Sequence, residues 1–139
     1  ELMAQFAENE LERLINNHQY FKMLTWSDMQ QVQSQKIQFQ SHGHWHEIHH
    51  NNQDEVTIKN EIEESKKVIE AHLNNEVFLF AFPNGNYNSI SEKYLKNCNY
   101  KGALILDDKK YTSSNTVFKI PRITPNGKLN KFKQQLKNT

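Results

Sequence analysis

Five of the seven histidines fall between positions 42 and 50, in Ser41-His42-Gly43-His44-Trp45-His46-Glu47-Ile48-His49-His50. Neutral imidazole is a good ligand for zinc and other borderline divalent metals, and two imidazoles leave room for a carboxylate and a water. His42 and His46 form the pair of interest. A four-residue spacing would place them on one helical face, but the preceding pattern is that of a strand and Gly43 is a poor helix residue. The expectation is a tight loop leaving a strand, with His44 and Trp45 pointing differently from His42 and His46. Spacing alone leaves open a solvated polar loop that happens to be rich in histidine. His49 and His50 read as exposed loop residues, and the isolated His18 and His72 carry no role. A second polar motif, Pro83-Asn84-Gly85-Asn86, reads as a turn in which Gly85 can supply a positive φ.

The elements that must position these motifs follow from periodicity. Residues 2–17 carry apolar side chains at mostly helical intervals and predict one or two short helices. Thr25 and Asp28 fit a capping pair, so a helix should run from Trp26 to about Ser34. Lys36 to Ser41 alternates as a short strand and leads straight into the histidine cluster. Ile58, Ile62, Ile69 and Leu73 predict an amphipathic helix from Thr57 to about Leu73, ended by Asn74 and Asn75. Val77 to Phe82 is an unbroken apolar run, expected as a strand covered on both faces, with Phe78, Phe80 and Phe82 in the core. A helix from about Ser89 to Asn97, a strand near Ala103 to Leu106, a last strand at Val117 to Ile120 and a closing helix at Leu129 to Leu136 complete the order. Strands separated by helices argue for parallel pairing in an α/β layer or barrel, where chemistry collects at strand C-terminal ends. Both polar motifs sit at such ends.

Composition narrows the classes further. A chain of 139 residues buries one ordinary core, and 36% hydrophobic with 24% charged residues is globular but polar. A formal charge of +1 gives no electrostatic argument for nucleic acid or an anionic membrane. The densest basic cluster, Lys128 to Lys137, reads as the solvated face of a terminal helix. No apolar run is long enough to span a bilayer. The single Cys98 excludes an internal disulfide and an all-cysteine metal site, and reads as a buried, inert thiol. The opening Glu-Leu-Met-Ala-Gln-Phe has neither an initiator methionine nor a signal-peptide pattern, and the expectation is a piece of a longer protein. On that expectation residues 1–139 are one N-terminally truncated domain, with 1–23 a helical lead-in.

Leu24-Thr25-Trp26, followed by Ile37-Gln38-Phe39-Gln40-Ser41-His42-Gly43-His44-Trp45-His46, resembles the histidine motif of the polysaccharide deacetylases, the NodB-homology group of carbohydrate esterase family 4. In that family a strand leads into Ser-His-(Thr/Ser/Gly)-x-x-His, whose two histidines bind the metal. The helix Glu61 to Leu73 and the run Val77 to Gly85 repeat the family layout, the latter resembling its Phe-Ala-Tyr-Pro-Tyr-Gly groove-wall variant. Asn99 to Ala103 and Phe118 to Ile123 look like later segments of the group. The resemblance covers residues 24–136 and implies part of a distorted (β/α) barrel. It further implies metal-dependent hydrolysis of an N-acetyl, sometimes O-acetyl, group on a polysaccharide. Under it His42 and His46 bind a divalent metal, usually zinc, the Asn84 backbone N–H helps hold the oxyanion, and Trp45, Pro83, Gly85 and Asn86 line the substrate groove. The bland reading of Trp45 is simple packing. A bacterial envelope or secreted location is implied as well.

Departures from the family pattern are equally specific. Its Thr-Phe-Asp-Asp-Gly motif, which carries the base and the third ligand, has no match before His42. Asp28, the only aspartate there, is assigned to capping, and Asp107 and Asp108 fall at the wrong place in the order. No histidine follows His72, so the late acid is absent too, and Ala81 stands in the place of an arginine in the commoner motif. Arg122 would buttress the missing carboxylates or form an ordinary surface ion pair. Three functions follow as expectations: a deacetylase whose aspartates lie on a missing upstream segment, a catalytically inactive carbohydrate-binding remnant, and a histidine-rich metal-binding domain unrelated to sugars.

Overall fold

The computed structural model describes residues 13, 23–33, 37–107, 116–122, 124–125 and 127–137. The lead-in helices expected over 2–17 lie outside these residues except for Arg13, which is helical, and Asp108 lies outside them too. The chain divides into two compact units, Glu1–Ile37 and Gln38–Thr139. In the first, α1 spans Trp26–Gln33. Its start is set by the anticipated capping box: Asp28 N donates to Thr25 Oγ1 at 3.1 Å and Thr25 N to Asp28 Oδ2 at 2.9 Å.

The second unit holds every candidate site residue. Helix α2 spans Glu55–Leu73, two residues earlier than periodicity suggests, because Asp54 caps it by accepting from Thr57 N at 2.8 Å. It ends where Asn74 turns left-handed, at φ 49°. Strand β1 (Leu79–Ala81) follows, then a single 3-10 turn at Pro83–Gly85, α3 (Ser89–Asn97), β2 (Gly102–Leu106), β3 (Ile120–Arg122) and α4 (Leu129–Lys137). The sheet order is β1-β2-β3, parallel throughout, with Phe80 opposite Ala103 and Leu104 opposite Ile120.

Two strand expectations change. Residues 37–41 do not form a regular strand; the backbone of this stretch bridges β1 where Ser41 lies parallel to Phe80. The Gln40 side chain takes over the pairing, its Oε1 accepting from Phe78 N at 2.9 Å and Leu79 N at 2.8 Å. The last strand begins at Ile120 rather than Val117. Val117 and Phe118 turn instead, Lys119 N donating to Thr116 O at 2.9 Å, and this drops the Phe118 ring into the core. Pro121, which has no N–H to donate, sits in this outer strand of the described sheet.

The core gathers Ile58 and Ile62 from α2, Val77, Phe80 and Phe82 from the β1 run, Leu95, Tyr100, Ala103 and Phe118. Phe80 lies edge-on to Phe82 at 5.1 Å and to Tyr100 at 5.7 Å between centroids, geometry that aromatic quadrupoles favour. Phe78 is only half-buried, so that part of the expected core is not realised. Helix α4 buries nothing, as its lysine content suggests. No helix among the described residues is long and apolar enough to cross a membrane.

Asn88 joins α3 to the histidine loop. Its Oδ1 accepts from Ser91 N and Ser91 Oγ, both at 2.8 Å, while its Nδ2 donates to His50 O at 3.0 Å. Removing a cap and orphaning a carbonyl together should cost about 2 kcal/mol, so Asn88→Ala should lower the urea midpoint clearly. A midpoint equal to that of wild type would refute this role.

Candidate metal and substrate site

The loop after Ser41 reverses direction within five residues. Gly43 adopts φ 90° and His46 φ 64°, the left-handed region that L side chains rarely occupy. The expected loop, rather than a helix, therefore carries the histidine pair. The reversal brings the His42 and His46 rings to 4.9 Å between centroids at an interplanar angle of 80°. His44 and Trp45 form a separate edge-on pair at 4.9 Å. His42 Nδ1 lies 2.6 Å from Ala81 O. A carbonyl can only accept, so Nδ1 carries the proton and Nε2 keeps its lone pair available.

A buried carboxylate organises this loop. Glu61, on α2 and 2% exposed, accepts from His44 N at 3.0 Å, Trp45 N at 2.7 Å and Glu47 N at 3.2 Å. No motif or spacing in the sequence singled this residue out. The available signal was an acidic residue on the apolar stripe of α2, between Ile58 and Ile62.

The second motif lies alongside. Pro83 is buried; Asn84 is left-handed at φ 53°, and Gly85 follows at φ 73°. Gly85 N donates to Phe82 O at 2.9 Å, and Asn84 Nδ2 donates to Asn86 Oδ1 at 3.0 Å. A β-carbon placed on Gly43 would lie 3.4 Å from Pro83 Cγ, so the two motifs are neighbours at the end of β1. Arg122 braces that end from β3: its Nε donates to Ile105 O at 3.3 Å and its Nη2 to Phe82 O at 3.4 Å. Its described bonds are thus to backbone carbonyls. Trp45 is 78% exposed, which argues against simple packing.

His49 corrects an expectation. It is fully buried rather than exposed, its ring 5.5 Å from Phe80 and 5.4 Å from Phe82. The left-handed turn at His46 redirects the chain, so Ile48 faces outward and His49 inward. Its Nδ1 lies 2.8 Å from Ser91 Oγ, and Nε2 has no partner among the described residues. Burial, opposed by the nearby Glu61 charge, pushes its pKa down to about 4. His50 is exposed as expected; Cys98 is half-buried rather than buried, and that partial burial pushes its thiol up.

The sequence profile of the polysaccharide deacetylase family matches residues 4–103. The chain belongs to the polysaccharide deacetylase family. Solved deacetylases share its fold. One from Streptococcus pyogenes, in complex with acetate, superposes with a TM-score of 0.67 at 23% identity, covering 72% of this chain and 44% of that one. The deacetylase domain of BpsB from Bordetella bronchiseptica gives 0.63 at 14% identity, covering 75% and 50%. A de-N-acetylase from Aggregatibacter actinomycetemcomitans gives 0.58 at 14%, covering 81% and 54%. The chain thus spans about half the length of these relatives, and its parallel sheet is part of the family's distorted (β/α) barrel. No curated protein matches it.

The donor chemistry of this pair fits a divalent metal. Two imidazoles lie side by side, one with its tautomer set by a carbonyl, which is the usual arrangement of a histidine ligand. Among the described residues no three His, Cys, Asp or Glu side chains group as a complete site.

Proposed function

We propose that this chain is part of a metal-dependent hydrolase that removes N-acetyl or O-acetyl groups from a polysaccharide. The observation that carries the reading is the pairing of His42 and His46, with His42 Nδ1 engaged by Ala81 O, within a chain of this family. His42 through Nε2, together with His46, would hold a divalent ion, with zinc as the ion these donors favour. Such an ion, when bound, polarises an acetyl carbonyl and lowers the pKa of a water.

The chain's own contribution is to position. The end of β1 presents the backbone N–H of Asn84 as an oxyanion donor, its left-handed conformation fixed by the Pro83–Gly85 turn. Gly85 and Asn86 would form one wall of the groove over the buried Pro83, and the exposed Trp45 offers an apolar face on which a sugar ring can stack. The remaining ligand and the base come, on this reading, from an aspartate pair on a segment upstream of residue 1.

Zinc titration by calorimetry tests the assignment. Wild type should bind zinc, His42→Ala and His46→Ala should not, and His50→Ala should bind as wild type does. An equal loss in His50→Ala would overturn the choice of ligands. The hydrolytic reading is tested by acetate release from an N-acetylglucosamine oligomer by a chain extended upstream through the aspartates. No release from a folded, zinc-loaded protein would sink it.

A further inference from the structure

The segment from Gly43 to Glu47 closes around a single buried carboxylate. Its N–H groups at 44, 45 and 47 all point inward to Glu61, two to Oε2 and one to Oε1. A buried carboxylate is costly unless it is hydrogen-bonded, and here the loop backbone supplies the bonds. The dependence runs both ways. The left-handed conformation of His46 persists only where surrounding contacts over-determine it, and the Glu61 bonds to Trp45 N and Glu47 N flank it on either side. The fit is close enough to dictate position 43: a β-carbon there would meet Glu61 Oε2 at 2.5 Å. Helix α2 holds Glu61 rigidly, between Ile58 and Ile62, both fully buried.

We propose that Glu61 is the positioning residue of the histidine pair, shaping the loop so that His42 and His46 face a common point before any metal is bound. The proposal rests on the metal reading above. Glu61 acts through the backbone N–H groups of His44, Trp45 and Glu47. Groups that orient metal ligands from behind commonly change affinity by about 10–100-fold when removed.

The test uses the full chain with Glu61→Gln, and Glu61→Asp as a second variant should the first fail to fold. Glutamine keeps the shape but turns an NH2 toward at least one loop N–H. Aspartate keeps the charge but withdraws it by one methylene. Without metal, the amides of His44, Trp45 and Glu47 should exchange at least about tenfold faster in either variant, as expected for loss of a protecting hydrogen bond. Zinc should then bind about 10–100-fold more weakly. Leu95→Ala, a core truncation on α3, supplies the control: with a comparable loss of Tm it should bind zinc as wild type does. Unchanged exchange and affinity in the Glu61 variants would overturn the proposal, and so would an equal loss of affinity in Leu95→Ala. Faster exchange together with zinc binding that ignores His42→Ala and His46→Ala would instead overturn the metal reading, leaving Glu61 as the anchor of a loop with another purpose.

Discussion

Gly85→Ala should destabilise the protein by roughly 2–5 kcal/mol, read as a drop in the free energy of urea unfolding. Two effects add. Gly85 sits at φ 73°, where a β-carbon collides with its own backbone. The same β-carbon would also lie 2.3 Å from Leu106 Cβ, 2.5 Å from Leu106 N and 2.8 Å from Leu106 Cα. These atoms belong to the last residue of β2, and no side-chain rotation can move them away. The turn must shift or the sheet must open, and either displaces Asn84. Asn84→Gly is the matched control, because it relieves a left-handed residue without adding an atom; its stability should change by less than about 1 kcal/mol. A Gly85→Ala protein within about 1 kcal/mol of wild type would show that the turn is looser than its contacts imply.

The second large effect is a loss of stability in mild acid, arising from His49. In the unfolded chain this imidazole titrates near 6.5, whereas in the folded protein burial holds its pKa down at about 4. Above pH 6.5 both states are neutral and the group contributes no pH dependence. Between 6.5 and 4 the unfolded chain takes up a proton that the folded protein refuses, so stability falls as pH falls. Over the whole window the loss approaches about 3 kcal/mol, because each pH unit separating the two pKa values is worth about 1.4 kcal/mol. The upper part of the window isolates the effect. Glu55, Glu64 and Glu92 have pKa values held below the usual carboxylate value of 4.5 by their hydrogen-bonded partners, so their contribution is lost only at lower pH. His49→Leu should flatten the stability profile between pH 6.5 and 4.5. Ser91 Oγ keeps its bond to Asn88 Oδ1 in that variant, so no new orphan hydroxyl is created. A wild-type profile already flat across this range would refute the assignment.

Much of the molecule is legible from sequence because it depends on local chemistry. The Thr25–Asp28 capping box, the amphipathic stripe of α2, the apolar run into β1 and the positive φ of Gly85 each follow from a few neighbouring residues. The order of helices and strands implies parallel pairing, and the three described strands pair that way. Family membership rests on the same footing, since motifs in a fixed order are a one-dimensional property.

Tertiary structure decided what depends on partners distant in the chain. Residues 37–41 alternate like a strand, yet the Gln40 amide displaces part of the ladder. His49 and His50 are adjacent histidines in one polar stretch, yet one lies between Phe80 and Phe82 and the other faces water. Nothing in that stretch distinguishes them, because the reversal at His46 sets which way the chain faces. Glu61 gives the same lesson from the opposite side. Its charge on an apolar stripe was visible, but its meaning required three backbone N–H groups from a loop 14 to 17 residues earlier. By itself, then, the sequence determined which residues have the chemistry to bind a metal and where the chain turns near them. Only the fold decided that the His42 and His46 rings lie 4.9 Å apart, on a loop whose backbone bonds a carboxylate on one helix and whose His42 ring meets a carbonyl at the end of one strand.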